Sequence, residues 1–432
     1  MQSCADPRRW YTTDLVGIPA ALLGSTVLGS ENEVLTIGGD YAMESSYACG
    51  CGIEKHAGFI GKAMQRPLPL PTSLTPWGRR VCSLSTYGEG WGGETQSQTS
   101  TCRISEMKPS PDSLRARPIV RPIWRLASRS NSHGTGFDPI VDRALGAYLG
   151  LAIGDALGAT VEFMTPDEIV RCYGVHRRIV GGGWLGLAPG QVTDDTTMSL
   201  ALGDALVRSG GWSLDAVAAS FADWLRARPV DCGNTCRRGI RRYLADGSLA
   251  TSPNEGDAGN GALMRNLPVV LSTLNDDEAW ARRSIAQAHV THNHPLSDAA
   301  VLALGEMTRR LVKHGDTAAC AAVAASLVRA HPEFRFDPYP GRASGYVVDT
   351  VQTVLHYFFN HARFEFAVTD AVNRGEDADT TGALVGMLAG ARCGARALPR
   401  HWLDRVDRNV VRAIVAQTPA LLALGRSQEA HQ

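Results

Sequence analysis

Four glycines recur at intervals of four, Gly146, Gly150, Gly154 and Gly158, within a run of small and apolar residues over positions 144–161 that Asp155 alone interrupts with a charge. Each glycine lowers helix propensity by up to about 1 kcal/mol relative to alanine. A four-residue spacing nevertheless places all four on one face of a helix, where a missing side chain lets a neighbouring helix approach closely. Further apolar residues recur three and four apart over 195–209, 214–227, 234–246, 260–274, 277–290, 296–313, 316–330, 345–359, 364–373, 379–392 and 403–424. Two-residue alternation is scarce, so strands are not expected. Pro189-Gly190, Pro229, Pro253, Pro295 and the 338–341 segment supply the breaks. The pattern predicts an all-α, compact multi-helix domain over residues 136–426, with roughly a dozen helices.

Upstream of residue 135 the composition differs. Arg66-Pro67-Leu68-Pro69-Leu70-Pro71, Thr95-Gln96-Ser97-Gln98-Thr99-Ser100 and Gly88-Glu89-Gly90-Trp91-Gly92-Gly93 leave few periodic apolar stretches. Residues 1–135 therefore read as a largely disordered, low-order extension of unknown role. Residues 15–30 are apolar enough to suggest a signal peptide, but Asp6, Asp14 and Pro19 fit one poorly, and the run is too short to span a bilayer. Lys+Arg and Asp+Glu are equal at 43 each, which argues against a nucleic-acid binder with a broad basic surface. The ten cysteines form neither a disulfide framework nor a zinc-finger spacing; Cys232 and Cys236, at helical spacing, are expected half-buried. A soluble protein of the reducing cytoplasm is expected.

Two acidic stretches carry the chemistry. Thr193-Asp194-Asp195-Thr196-Thr197 and Asp377-Ala378-Asp379-Thr380-Thr381 each follow a glycine-bearing loop and open a helical run. Asp and Thr there can cap free N–H groups. Brought together, the same carboxylate and hydroxyl oxygens would instead hold hard cations such as Mg²⁺ or Mn²⁺. Glu162 closes the first helix, where the dipole disfavours an acid. A glycine-rich loop over 255–265 leads into a helix and offers N–H groups to a phosphate or, equally, makes a tight turn. Asp231 precedes a helix for which Asn234 is a plausible N-cap. In Thr291-His292-Asn293-His294-Pro295, zinc ligation is a poor reading without a third histidine or a cysteine. His292 is expected to bond a polar ligand or a neighbouring loop.

Taken together, Gly154-Asp155-Ala156-Leu157-Gly158 with Glu162, Gln191-Val192-Thr193-Asp194-Asp195-Thr196, Gly233-Asn234-Thr235-Cys236-Arg237-Arg238, Gly259-Asn260-Gly261-Ala262-Leu263-Met264-Arg265, Thr291-His292-Asn293, Ser344-Gly345-Tyr346-Val347-Val348-Asp349-Thr350 and Asp377-Ala378-Asp379-Thr380-Thr381-Gly382 resemble the ADP-ribosylglycohydrolase family. The resemblance runs in order from about residue 138 to 395 and points to the bacterial members that reactivate dinitrogenase reductase. More weakly, residues 12–19 resemble the start of the opposing ADP-ribosyltransferase and read as a remnant or fusion scar.

The resemblance implies a cleft holding two Mn²⁺ (or Mg²⁺) ions on Thr193, Asp194, Asp195, Asp377, Asp379 and Thr380. It implies catalytic roles for Glu162, Asp194, Asp231 and Asp379. Asn234, Gly259, Asn260, Gly261, Met264, Arg265, His292 and Tyr346 would bind ADP-ribose, with the loop over 259–265 on the pyrophosphate. The implied reaction is hydrolysis of the bond from ribose C1 to an arginine guanidinium nitrogen, through an oxocarbenium-like transition state. The implied substrate is the ADP-ribosylated iron protein, dinitrogenase reductase. A monomer is implied, with peripheral membrane attachment through a PII signalling protein and an ammonium channel. Relatives usually have glycine at Glu376 and often an acid at Thr197, so these two departures bear on the metal site. Hydrolysis of serine-linked ADP-ribose or O-acetyl-ADP-ribose, metal-dependent phosphoester cleavage and non-catalytic ADP-ribose binding are the alternatives.

Overall fold

The computed structural model describes residues 138–427. The expected extension over 1–135, the run over 15–30 and the segment over 12–19 lie outside the described residues. Within them the chain is helical, with isolated β-bridges in place of strands. The helices are α1 (Pro139–Gly158), α2 (Pro166–Tyr173), α3 (Asp194–Arg208), α4 (Leu214–Arg226) and α5 (Asn234–Asp246). They continue with α6 (Leu267–Ser272), α7 (Asp277–His289), α8 (Pro295–His314), α9 (Thr317–Ala330) and α10 (Val347–Asn360). The last four are α11 (Phe364–Val372), α12 (Ala378–Cys393), α13 (Arg400–Leu403) and α14 (Arg408–Ser427).

The glycine-spaced helix is the axis of the domain. Asp138 caps α1, and from Val141 to Gly158 only Arg143 escapes burial. Its partner is α12, which carries a matching series, Gly382, Gly386 and Gly390, and is buried from Ala378 to Ala391. The pairing is antiparallel and almost backbone to backbone. A Cβ added at Gly150 would sit 2.2 Å from the Gly386 carbonyl oxygen, and one at Gly386 would sit 2.1 Å from that of Gly150. Gly146 faces Gly390, Gly154 faces Gly382 and Gly158 faces Ala378 in the same way. Helices α8, α10 and α11 pack on α12, α14 packs on α1, and α3 packs against α4, α6 and α14. Helices that are apolar all round are buried ones, and this pair is enclosed as that rule expects.

Two predicted segments differ from the structure, and one helix was not predicted. The run over 260–274 is helical only as α6, because residues 259–266 form turns that face the site. The run over 403–424 divides into α13 and α14 at a turn in which Asp407 N–H donates to Gly190 O. Helix α2 was not expected, although Thr165-Pro166-Asp167-Glu168 spells a capping box: the Glu168 N–H donates to Thr165 Oγ1, and Glu168 Oε2 accepts from the Thr165 N–H. At eight residues it is too short for its apolar period to stand out.

Candidate active site

The antiparallel pair puts the C-terminal end of α1 beside the N-terminal end of α12. The N-terminus of α3 is fastened there by Asp155, a buried carboxylate of α1. Thr193 N–H donates to Asp155 Oδ1 at 2.9 Å, and Thr196 donates to Oδ2 through both its N–H (3.1 Å) and its hydroxyl (2.5 Å). Asp155 therefore caps a helix other than its own. Thr193 makes no cap bond with its side chain, and neither does Asp377, the residue before α12. The residue before α5 is Gly233, so Asn234 is the first helical residue and not the N-cap expected of it. The Gly233 N–H donates instead to Asp194 Oδ2 at 3.0 Å. The acids of the two stretches thus do not cap their own helices, and Asp194 serves the start of α5 instead.

Glu162 lies in the turn beyond α1, held by an unusual strap. Phe163 and Glu376 both adopt left-handed backbones, with φ of 62° and 52°. Phe163 N–H donates to Glu376 O at 2.6 Å, and Glu376 N–H donates to Met164 O at 2.9 Å. The strap sets Glu162 against Asp377 and Asp379, whose carboxyl oxygens and its own lie within 4.8 Å of one another. Asp195 joins the two acidic stretches, since Oδ2 accepts from Thr193 Oγ1 at 3.4 Å and from Thr380 Oγ1 at 3.1 Å. Asp231 pairs with Asp194 at the edge of this group and accepts from the Cys232 N–H at 2.7 Å.

Burial raises every carboxyl of the cluster, and mutual repulsion adds to it in most. Asp155 is pushed up to about 6 by burial. Asp194 is pushed up to about 7 by burial and then by the charge of Asp231. Glu162 is pushed up to about 9 by burial, against the opposing hydrogen bond from Trp184. Asp195 and Asp379 lie well above the carboxylate range, through burial and then through Asp155 and Glu162 respectively. Asp195 Oδ1 and Asp379 Oδ1 are buried with no hydrogen-bond partner. Buried oxygens that repel one another and lack donors suit hard divalent cations, so the residues present fit such ions.

The residues expected to hold ADP-ribose fall into two groups. Tyr346 is 43% exposed and precedes α10, its backbone bridged to Gly259. Asn234 is also exposed. The others face inward. Asn260 donates its side-chain amide to Asp377 Oδ2 and, at 3.0 Å, to Thr350 Oγ1, so it supports an acid of the cluster. His292 is buried, its pKa far below the usual range through burial and then the charge of Arg265, and it bonds Thr291 Oγ1 at 2.7 Å. Its ring lies against the glycine loop: a Cβ at Gly261 would sit 2.9 Å from its Cε1 and 2.8 Å from Cys236 Sγ. Met264 is buried, and Arg265, 0% exposed, has Nε, Nη1 and Nη2 engaged by Gln287, Cys236 and Thr291. Arg265 is a core cation beneath the loop, stacked over Phe221, and does not reach a pyrophosphate on its outer side. Cys232 and Cys236 are buried rather than half-buried, Cys236 almost completely, and their thiols are pushed up to about 11 and about 12 by burial. His294 caps α8, which accounts for the second histidine of its motif.

Both departures from the expected pattern have partners. Glu376 turns away from the cluster and accepts the Ala343 N–H at 3.0 Å. Thr197 donates to Thr193 O at 2.9 Å and accepts from Trp224 Nε1 at 3.0 Å. Two site residues were given no role by the sequence reading. Asp155 had a signal, as the single charge in a small-residue helix. Trp184, which donates Nε1–H to Glu162 Oε2 at 2.6 Å, follows three glycines and had none.

A sequence profile described as ADP-ribosylglycohydrolase matches residues 138–430. An ADP-ribosyl-[dinitrogen reductase] glycohydrolase of Rhodospirillum rubrum is 56% identical over 286 residues, 66% of this chain and 96% of that protein. The ADP-ribosylarginine hydrolase Tri1 of Pseudomonas putida (strain GB-1) is 33% identical over 307 residues, 67% of this chain and 80% of that one. Among solved structures, a chain of an ADP-ribosylglycohydrolase-related protein complex superposes with a TM-score of 0.59 at 33% identity, covering 66% of this chain and 99% of that one.

Proposed function

The chain belongs to the ADP-ribosylglycohydrolase family, and from that premise we propose that it hydrolyses the N-glycosidic bond between ADP-ribose and a protein arginine, removing ADP-ribose from dinitrogenase reductase and so reactivating it. The observation that carries this reading is the buried carboxyl cluster at the junction of α1, α3 and α12, with two oxygens that no donor satisfies. The Rhodospirillum relative supports the choice of substrate, and the Pseudomonas relative supports the arginine linkage.

Thr193, Asp194, Asp195, Asp377, Asp379 and Thr380, with Glu162 beside them, would hold two Mn²⁺ or Mg²⁺ ions. Such ions would supply positive charge for the ribose hydroxyls and lower the pKa of a water molecule. The protein's own part is positional and protonic. Glu162 faces the junction and would take a proton from the attacking water, the cations' charge opposing the burial that raises its pKa in their absence. Asp231, at the edge and paired with Asp194, would meet the arginine side and hand a proton to the departing guanidine nitrogen. Asn234, Tyr346 and the backbone of Gly259 and Gly261 would line the ADP-ribose cleft, with Asn260 and His292 shaping it from below.

We further assign catalysis to the domain spanning 136–426, acting as a monomer. In this reading the cytoplasmic enzyme attaches reversibly to the membrane through a PII protein and an ammonium channel. No described helix is long and apolar enough to cross a membrane. The test is release of ADP-ribose from ADP-ribosylated dinitrogenase reductase, measured with and without Mn²⁺ and repeated with a chain beginning at Ser132. Release is expected with Mn²⁺ from both chains and is expected to be lost in Asp377→Ala. Faster release from serine-linked substrate, or tight ADP-ribose binding without turnover, would refute the arginine assignment or the enzymatic one respectively.

A further inference from the structure

Trp184 belongs to neither acidic stretch, yet it is seated with care. It follows Gly181, Gly182 and Gly183, all left-handed, in a loop closed by a bridge between Gly182 and Leu187. The loop is fastened to the turn after α1. Thr160 Oγ1 donates to Gly181 O at 3.1 Å, and a Cβ at Gly183 would lie 2.4 Å from Ala159 O. This seating delivers the indole N–H to Glu162 and commits one of its two carboxyl oxygens. The rest of the ring faces outward. Trp184 is 51% exposed, and its ring centroid lies 5.3 Å from that of Phe163, which is 59% exposed. An exposed aromatic pair thus flanks the carboxyl cluster on the side of Glu162. Guanidinium is the side-chain cation that lies flat on an aromatic face while its edge pairs with carboxylates.

We propose that Trp184 is a specificity-determining residue: its N–H orients Glu162, and its exposed face, with Phe163, receives the guanidinium of the arginine from which ADP-ribose is cleaved. This rests on the hydrolase reading above. A hydroxyl acceptor such as serine offers no planar cation, so the ring contributes to arginine-linked substrate alone.

Two variants of the full chain separate the two contributions, assayed with Mn²⁺ on ADP-ribosylarginine. Trp184→Phe keeps a ring and loses the donor, and kcat is expected to fall about tenfold with KM nearly unchanged. Trp184→Gln keeps an N–H donor and loses the ring, and KM is expected to rise about fivefold with kcat largely kept. A second readout needs no turnover. The Trp184 indole N–H resonance, identified by its loss in Trp184→Phe or in Trp184→Gln, is expected to shift when L-arginine is added and to stay in place with L-serine. That shift in the wild-type chain decides the matter if either variant fails to fold. Wild-type constants in both variants together with an unmoved resonance would overturn this inference and leave the hydrolase reading intact. A wild-type chain that releases no ADP-ribose from arginine would refute that reading, and this inference with it.

Discussion

Asp155 shows how much of the site depends on a residue that need not touch substrate. Its carboxyl accepts from the N–H groups of Thr193 and Thr196 and from the Thr196 hydroxyl, all at full burial. Asp155→Ala is expected to lower stability by about 2 kcal/mol, as the loss of a buried cap does. It is also expected to weaken Mn²⁺ binding at least about tenfold, because the acids beyond the cap lose their orientation. Denaturant melts and a Mn²⁺ titration of the same variant check both, and unchanged metal affinity would count against the orienting role. Glu376 gives the opposite expectation. Its left-handed backbone suits glycine, while its side chain bonds Ala343 and avoids the carboxyl cluster. The strain relieved and the hydrogen bond lost are each about 1 kcal/mol, so Glu376→Gly is expected to change stability by less than about 1 kcal/mol. Mn²⁺ affinity is expected to remain within about twofold of wild type, since no cluster contact is removed. The glycine expected from relatives was readable in the sequence as a departure; the direction in which the glutamate points was not, because Ala343 lies far from it along the chain.

Among the elements, α1 and α12 are the pair on which the site is mounted. The glycines of α1 announced a close approach, but nothing in that segment named α12 as the partner. The matching Gly382, Gly386 and Gly390 lie more than two hundred residues away, and only packing sets the register between the two series. In a solvent-exposed helix, Gly→Ala would gain about 1 kcal/mol of propensity. Here the new methyl group would meet a backbone carbonyl at 2.2 Å, and backbone cannot turn aside as a side chain can. Gly150→Ala is therefore expected to destabilise the domain by about 3 kcal/mol, the overpacking cost exceeding the propensity gain. Calorimetric melting measures it, and a raised melting temperature would show that the two helices can slide apart freely. The same comparison explains α2 and the 259–266 turns. Short elements owe their form to what they pack on, so a capping box was the single local sign of α2, and a glycine loop looked helical beside the run that follows it.

Across the whole molecule the cluster links metal binding to folding. In the folded chain without cations, Asp155 is raised to about 6 and Asp194 to about 7, chiefly by burial. A folded-state pKa above the unfolded one near 3.8 gives stability that is fully present below that value and is lost as pH rises through about 6 and about 7. The cation-free chain is thus expected to melt at a lower temperature at pH 8 than at pH 5. Mn²⁺ must displace the retained protons, so the rise in melting temperature at fixed free Mn²⁺ is expected to be larger at pH 8. Scanning calorimetry at the two pH values checks the sign, and an equal rise at both would refute the coupling. The helical class, the close-packing face of α1 and the acidic stretches were legible along the chain, since they depend on local period and residue chemistry. The sequence did not determine whether those acids cap their own helices, whether Arg265 faces a ligand or the core, or that Trp184 meets Glu162. Those followed from tertiary structure, because hydrogen-bond partners and burial depend on which distant segments pack together, as Arg265 on Gln287 and Thr291 and α1 on α12 both show.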